Sequence, residues 1–584
     1  MGVFSPQACA DILNGNTQFA PETLARARAG IDTLVAARIG GDCWSAPAAV
    51  DAVSLVVAPP VLGEAFDRMI AAVGDNGSAL LIPVQAAKPV RETLLRLAVE
   101  RGMTPIEGPV DVWSLIDSTR TLFTVDDDLG FLALLKGIRV RCFGNPFYAG
   151  YGLTEDDSTI PARSRACGVE ELFAAACLSA TEYRDPFTDT VCGFEGACSI
   201  LADWRPVSDT NRGIAVCVGM SFWKQRRIAD MLRSDRGAPE FHKTTAAAIA
   251  AARRRGGGIA VWAAREPADL APAASEAGIA VVRIEDGFVR SVGLGADFTQ
   301  AASVVLDRTG IYFDPAKPSG LENLLMTARF NEALTARAGR LIDTLVTRGI
   351  TKYNTGAPMP AIDVPTGRRT IFVPGQVEDD RSVATGGAGI YSNLELLRRV
   401  RTLNPDAFII YKPHPDVDAG HRLGTIPDDE ARRFADLIVR GVSTAAIIPA
   451  VDEIHTLTSL AGFEALIRRR KVVTYGQPFY SGWGLTTDLA PVARRTRKLS
   501  LEELIAGSLV IYPRYFDPVT RLPCGPEILI ERLSHPELWR PGVLVVLRRM
   551  QGELTRRIGN LRTKNTSHVG TANSGKRQKH VKPA

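Results

Sequence analysis

Gly462–Asp488 reads GFEALIRRRKVVTYGQPFYSGWGLTTD. Gly462–Arg469 is helix-like, and Lys471–Tyr475 has the β-branched, aromatic character of a strand. A helix feeding such a strand is one step of a parallel α/β fold. A weaker copy stands at Gly130–Asp156, GFLALLKGIRVRCFGNPFYAGYGLTED, and one constant offset aligns the two without a gap. The same offset pairs Glu170-Glu171-Leu172 with Glu502-Glu503-Leu504, Tyr183 with Tyr515, Asp185-Pro186 with Asp517-Pro518 and Cys192-Gly193 with Cys524-Gly525. The chain therefore holds one unit twice. Chemistry-bearing residues persist in the second copy and are replaced in the first.

Outward from the second copy, strand-like and helix-like segments alternate. Ile214–Val218, Phe222–Arg233, Gly258–Ala263, Ala268–Glu276 and Ile279–Ile284 read βαβαβ, which predicts a parallel sheet covered on both faces. After a linker with Gly356, Pro358, Pro360 and Pro365, the alternation restarts over Thr370–Val373, Asn393–Leu403, Ala407–Tyr411, Glu430–Arg440, Asp452–Thr456, Gly462–Arg469 and Lys471–Tyr475. Two Rossmann-like halves joined in this way face a cleft, with ligands at the carboxyl ends of the strands. Upstream, Val53–Ala58, Leu80–Pro83, Ser118–Thr124 and Arg139–Phe143 form strands resembling the second half alone, and about fifty residues precede them. The expected division is a degenerate partial module over 1–205, a first Rossmann-like half over 206–365, a second over 366–540, and a basic helix with its tail over 541–584.

Composition narrows the function classes. Hydrophobic residues are 46% and charged residues 23% of a 584-residue chain, which excludes wholesale disorder and predicts several domains. Nine scattered cysteines form no CxxC pair and no His cluster has metal spacing, so neither structural zinc nor a disulfide framework is expected. No apolar run approaches the roughly 20 residues of a membrane span, and no signal peptide is evident. The expected location is cytoplasmic. The net charge of +5 is unevenly placed: from Arg556 onward there are eight Lys or Arg and no acidic residue. Leu547, Met550, Leu554, Ile558 and Leu561 recur at helical spacing beside Arg548, Arg549, Arg556 and Arg557. Such a helix suits an anionic lipid surface or packs on the protein body. Nucleic acid fits poorly, because the tail has no aromatic residues to stack on bases.

Candidate chemistry lies at predicted strand ends. Lys412-Pro413-His414-Pro415-Asp416 follows a strand, and a Lys and a His held by two prolines suit a phosphate that becomes a leaving group, or else form an ordinary polar turn. Thr458-Ser459 begins a helix with Glu464 in its first turns, an arrangement fitted to phosphate and ribose or simply to capping. In the first copy these positions are Asp126-Asp127 and Leu132, His455 becomes Phe123, and Val84-Gln85-Ala86-Ala87 follows the strand where the HPD run is expected. Asp caps a helix as Ser does, yet clustered carboxylates repel a phosphate. Glu285-Asp286-Gly287-Phe288-Val289-Arg290-Ser291 closes one strand near Gly293 and Gly295, and Gln376-Val377-Glu378-Asp379-Asp380-Arg381-Ser382 leaves another before Gly386-Gly387. Each reads as a cleft-lining loop or a plain acidic turn. Asp379-Asp380 without further ligands makes a poor metal site.

Together EDGFVRSVGLG, SVVLDRTGIYFDP, TKYN (Thr351–Asn354), VPGQVEDDRSV, YKPHPDVDAGHRLG, HTLTSLAGFEAL and GQPFYSGWGLT resemble, in order, the motifs of the capsule polysaccharide β-Kdo transferases, the KpsC-like proteins. The resemblance covers nearly all of Gly213–Leu533. It implies an α/β glycosyltransferase of GT-B type, with two Rossmann-like domains facing a cleft, preceded here by a partial Rossmann-like repeat. It also implies a retaining enzyme that uses CMP-Kdo to build the Kdo linker between a capsule chain and a phosphatidylglycerol lipid. Family members typically carry two complete modules, whereas the first module here lacks the EDGF half, the Gln-x-x-x-Asp segment and the HP pair.

By this resemblance Asp380 is the expected nucleophile, with Asp379 its rival, and Glu285 the acid/base for the acceptor hydroxyl. Lys412 and His414 are expected to hold the CMP phosphate with Ser459, Glu464 the ribose, and Arg290 and Arg381 the Kdo carboxylate, with Gln376 also on the donor side. No metal or cofactor is expected. The expected partners are a CMP-sugar donor, a lipid-linked Kdo acceptor, the anionic inner-membrane surface and other capsule assembly proteins. Two alternatives stand beside this: a non-catalytic capsule assembly or export scaffold, and a transferase for another CMP-activated nonulosonic acid.

Overall fold

The computed structural model describes residues 2–15, 18–74, 77–158, 160, 163, 165–291, 301–352, 365–420 and 422–538. The basic helix and tail expected over 541–584, linker residues Gly356, Pro358 and Pro360, and Gly293 and Gly295 lie outside the described residues. The chain divides into two compact units. The first runs up to Cys217 and adds Ile228–Glu240 and Ala250–Gly258; the second comprises Val218–Arg227, Phe241–Ile249 and the chain from Ile259 onward.

In the first unit, six parallel strands lie in the order Thr104–Ile106, Ser78–Leu81, Ser54–Val57, Thr121–Thr124, Arg139–Cys142, Glu155–Asp156. Central strands such as Leu55-Val56-Val57 are apolar on both faces because helices cover both sides. The four strands expected from sequence are present, and the two additional ones are edge strands of three and two residues. Their brevity leaves no run to detect. A separate antiparallel sheet joins Gly2–Phe4, Thr181–Arg184 and Val191–Cys192.

The second unit repeats the six-stranded order with Leu437–Ile438, Phe408–Lys412, Thr370–Pro374, Glu453–Thr456, Lys471–Thr474 and Thr487–Asp488. Counted along the chain, both sheets run 3-2-1-4-5-6, the doubly wound Rossmann order. Glu430–Arg440 does not continue the strand-helix alternation as one element: Asp428–Ala431 is a single helical turn and Leu437–Ile438 is the edge strand. The other sheet is mixed, contrary to the all-parallel expectation. Gly258–Trp262 runs parallel to Val281–Asp286, but Ser303–Asp307, Pro513–Phe516 and Pro523–Cys524 then add antiparallel. The final strands return from far along the chain, which local periodicity cannot show.

The two units share detailed geometry. Gly2, Val3 and Phe4 pair with Tyr183, Glu182 and Thr181, as Ser303, Val304 and Val305 pair with Tyr515, Arg514 and Pro513. Tyr148 Oη donates to Asp127 O and Tyr480 Oη to Ser459 O. Gly150 N and Gly482 N each donate 2.9 Å to the carboxylates of Asp156 and Asp488. A second internal match, Ile31–Val35 with Ile342–Val346 (IDTLV in both), places the helices Pro21–Ala37 and Glu332–Thr347 in correspondence. Arg26–Glu195 and Arg337–Glu527 are their twin ion pairs. Both helices end through a left-handed residue, Arg38 at φ 52° and Gly349 at φ 63°. Gly41 therefore occupies the place of Lys352.

Candidate functional site

In the second unit the strand order reverses between Thr370–Pro374 and Glu453–Thr456, where connections depart to opposite sides and leave a crevice at the carboxyl ends. Gly375 begins one lip. A Cβ there would stand 3.0 Å from Lys412 O and 3.0 Å from Tyr411 Oη, so any larger residue would push these neighbours back by a few tenths of an ångström. The next residue, Gln376, ties the two lips together. Its Oε1 accepts from Thr458 N at 3.0 Å and Ser459 N at 3.1 Å, and its Nε2 donates to Thr458 Oγ1 at 2.8 Å.

A cavity of about 650 Å³ opens here, and its wall includes all nine residues singled out from sequence: Glu285, Arg290, Gln376, Asp380, Arg381, Lys412, His414, Ser459 and Glu464. Gln376 spends its side-chain amide on the lips and acts as a brace. Ser459 caps the helix Leu460–Ile467, its Oγ accepting from Ala461 N at 3.2 Å.

Lys412 ends its strand and is only 8% exposed; burial lowers its pKa, opposed by the charges of Glu464 and Asp418. His414 caps the short helix Pro415–Asp418, with Nδ1 accepting from Asp416 N at 3.1 Å. A nitrogen that accepts carries no proton, so the neutral ring bears its hydrogen on Nε2. Burial, with Lys412 and Lys352 nearby, pushes the imidazolium pKa down to about 4. His414 is thus a neutral donor at physiological pH. Burial raises the Glu464 carboxyl above the usual range, and one of its oxygens accepts from Lys352 N at 3.0 Å.

Across the cavity, Glu285 and Asp286 finish Val281–Asp286. Glu285 Oε1 accepts from Asp286 N, while Glu285 Oε2 and Asp286 Oδ1 are buried without a hydrogen-bond partner. Burial and the adjacent Asp286 charge raise the Glu285 pKa. Burial acts the same way on Asp286, but Arg290, Lys224 and Lys352 outweigh it and hold Asp286 low. The pair is therefore split into a carboxyl that takes up a proton more readily than an ordinary Glu and an ionised one, a pattern suited to acid/base work.

Arg290, expected to pair the Kdo carboxylate, lines the cavity from deep in its wall. It is 1% exposed, its Nε donates 2.8 Å to Asp286 and its Nη1 2.8 Å to Ser291 Oγ, so it orders the acidic pair from within the wall. Arg381 is exposed and begins the helix Arg381–Gly386. Asp380 caps that helix, with Oδ1 accepting from Ser382 N at 2.9 Å and Ser382 Oγ at 2.7 Å, which fixes the carboxylate's orientation. Its neighbour Asp379 is half-exposed and paired with Arg422 at 3.1 Å.

Sequence reasoning missed Lys224, Arg265, Lys352, Tyr312 and Arg422, which also line the cavity. Lys352 lies within the quoted TKYN run, and Lys224 follows the strand Ile214–Val218 by six residues; proximity to a strand end was the available signal. The apolar floor joins three motifs. Phe288 of EDGF stacks on Phe479 of PFYSG at 4.3 Å, and Phe463 of GFEAL lies 5.1 Å from Phe479. His455 is away from this wall: it is a core residue bonded to Tyr475 and Glu453.

The first unit has a cavity of about 410 Å³ lined by Phe4, Phe131, Leu132, Phe147, Asp127 and Asp128 among others. Leu132 stands for Glu464, Asp127 for Ser459 and Gly41 for Lys352. Asp127 Oδ1 accepts from Leu129 N at 2.8 Å, so the helix cap persists with the opposite charge character.

A model of the family described as capsule polysaccharide biosynthesis protein matches residues 96–182, 258–361 and 338–515. The capsule polysaccharide modification protein LipA of Neisseria meningitidis serogroup A is 40% identical over 436 residues, covering 73% of this chain and 61% of LipA. The lipopolysaccharide-processing protein LpsZ of Rhizobium meliloti is 45% identical over 245 residues, 41% of this chain and 56% of LpsZ. The chain thus spans less than two thirds of these curated relatives. Among solved structures, the β-Kdo 2,7 transferase of Thermosulfurimonas dismutans KpsC is 36% identical, covers 55% of this chain and 99% of its own, and has a TM-score of 0.45. The β-Kdo 2,4 transferase of the same protein is 28% identical, covers 55% and 98%, and has a TM-score of 0.48.

Proposed function

Because the chain belongs to the capsule polysaccharide biosynthesis protein family, we propose that it is a retaining glycosyltransferase moving β-Kdo from CMP-Kdo to a Kdo-bearing lipid acceptor in capsule assembly. One observation supports this reading: Lys412 and His414, the oriented carboxylate of Asp380 and the buried, raised-pKa carboxyl of Glu285 line a single crevice.

In the first displacement an Asp380 oxygen attacks the anomeric carbon, the bond from that carbon to the CMP phosphate oxygen breaks, and CMP leaves with the electron pair. His414 donates Nε2–H to the departing phosphate and Lys412 offsets its charge. In the second, an acceptor hydroxyl oxygen attacks the same carbon, its proton passes to ionised Glu285, and the bond to Asp380 breaks. Two inversions leave the configuration unchanged. Arg381 and Lys352 supply positive charge for the sugar acid, and Glu464 accepts from ribose hydroxyls. We assign Arg290 to ordering Asp286.

The test is mass spectrometry of Asp380→Asn and Asp379→Asn after exposure to CMP-Kdo without acceptor. A glycosyl adduct that vanishes only in Asp380→Asn is expected. An adduct retained there, or lost only in Asp379→Asn, refutes the assignment. Turnover of a different CMP-activated nonulosonic acid in preference to Kdo would move the donor to that acid.

Among the described residues no helix is long and apolar enough to cross a membrane. Our reading assigns membrane-surface attachment in the cytoplasm to the basic segment beyond Pro541, and truncation there is expected to weaken binding to anionic vesicles. It assigns no transfer to the first unit, whose carboxylates disfavour a nucleotide phosphate. Alternating linkages made by the purified protein would refute that.

A further inference from the structure

Lys224 is an ammonium with no direct ion pair among the described residues; Asp286 and Glu285 act on it only as nearby charges. It sits near the start of the helix Phe222–Met231, and its Nζ lies 3.1 Å from the centroid of the Trp262 ring. Among the described residues it makes no hydrogen bond and no ion pair, so three N–H donors face the cavity or a ring. Arg265, which ends the short helical turn after the strand Gly258–Trp262, lines the same wall; it is exposed and has no hydrogen bond or ion pair among the described residues. Trp223 flanks them. Other arginines nearby are held on carboxylates: Arg290 on Asp286, Arg422 on Asp379 and Arg283 on Glu266. A half-buried ammonium on a cavity wall that holds no hydrogen-bond acceptor can take one from an incoming anion without giving up an existing bond.

Its location says when that charge arrives. Lys224 and Arg265 share the wall of Glu285 and Asp286, whereas Lys412, His414 and Ser459 extend from the other sheet. The unpaired cations therefore flank the carboxyl assigned to the acceptor hydroxyl, apart from the group assigned to the leaving phosphate. Asp286 is already committed to Arg290. On the proposed transfer reading, on which this inference rests, we propose that Lys224 and Arg265 form an anion subsite for the acceptor, holding an acceptor oxyanion so that the neighbouring hydroxyl meets Glu285. Trp262 keeps the ammonium extended by cation–π attraction while the site is empty. The oxyanion is either a sugar-acid carboxylate or a lipid phosphate.

The experiment compares kcat/KM for three acceptors: a Kdo glycoside on a phosphate-free alkyl aglycone, its carboxyl methyl ester, and the glycoside on a phospholipid. With the first two, wild type is expected to prefer the acid by about tenfold to a hundredfold, the range for a charge-assisted bond. Lys224→Met removes that preference by bringing the acid down towards the ester, Lys224→Arg restores much of it, and Arg265→Gln lowers it about twofold to tenfold. If the preference follows the phosphodiester instead, the subsite stands and its anion is the phosphate. Equal use of charged and neutral acceptors by wild type overturns the proposal. So does a Lys224→Met variant that lowers acid and ester by one factor, which would mark a residue acting only through Glu285. Calorimetric binding of the acid without donor separates the two readings: binding that needs Lys224 in a protein inert towards every CMP-sugar defeats the transfer reading alone.

Discussion

Gln376 offers the most incisive perturbation, because its amide accepts two backbone N–H groups and donates to one hydroxyl across the crevice. Gln376→Ala removes three hydrogen bonds worth about 0.5–1.5 kcal/mol each, or about 1.5–4.5 kcal/mol if nothing replaces them. The crevice is open, so water re-satisfies part of this, and a loss of about 1–2 kcal/mol is expected. The helix start at Ser459 also loses its anchor, so CMP affinity falls about tenfold. Gln376→Glu separates the two effects. A carboxylate keeps both acceptor contacts, and Thr458 Oγ1 can turn to donate, so stability changes little. Its charge, within about 5–8 Å of a bound phosphate, costs about 2–3 kcal/mol at an effective dielectric near 20, or about thirtyfold to a hundredfold in affinity. Isothermal calorimetry with CMP and thermal unfolding of both variants provide the assay. A Gln376→Glu protein that binds CMP as tightly as wild type refutes the placement of phosphate at this lip. A Gln376→Ala protein unchanged in both measurements refutes the brace.

The raised Glu285 pKa places the acidic limb of acceptor kcat/KM above the ordinary carboxylate range, since the base must be ionised; Glu285→Gln abolishes that limb with most of the activity. The stability signs are opposite for the pair. Glu285 contributes below the ordinary Glu pKa and loses that contribution as pH rises through its own raised value, whereas Asp286 loses its contribution as pH falls through its lowered value. Urea denaturation of Glu285→Gln should therefore show a gain over wild type towards pH 8 that disappears near pH 4. Gly462→Ala puts a methyl 2.9 Å from Tyr480 Cζ, and Gly130→Ala puts one 2.6 Å from Tyr148 Cζ; both rings are fully buried, and each change costs about 1–3 kcal/mol by thermal unfolding. Turnover in excess chelator is expected to equal turnover without it, since CMP leaves with one phosphate that Lys412 and His414 can hold; complete loss would bring a metal into the reaction.

Residues at strand ends were legible because a parallel sheet delivers every strand's last side chains to one edge. Lys412, His414, Asp380 and Glu285 lie in three separated motifs that this rule places at strand ends, and the family resemblance singled them out there. The mixed sheet was not legible, since Pro513–Phe516 pairs with a strand some two hundred positions earlier and carries no local mark of it. Nor were the duties of Gln376 and Arg290, because composition cannot tell a polar group that faces a ligand from one that aims another group. Lys224 and Arg265 escaped for a related reason: a Lys after a helix start and an Arg on a short turn look like ordinary surface charges until the fold sets both on the cavity wall. The match of Ile31–Val35 to Ile342–Val346 was hidden by a second offset, different from the one that aligned the larger repeat.

Twinned glycine–tyrosine contacts, cap bonds and ion pairs also give this protein an internal reference for mutagenesis. A change such as Gly462→Ala alters scaffold and chemistry at once, whereas its counterpart at Gly130 strains an equivalent packing with no Lys–His pair nearby. Subtracting one response from the other isolates what the crevice itself requires, within a single polypeptide and a single preparation.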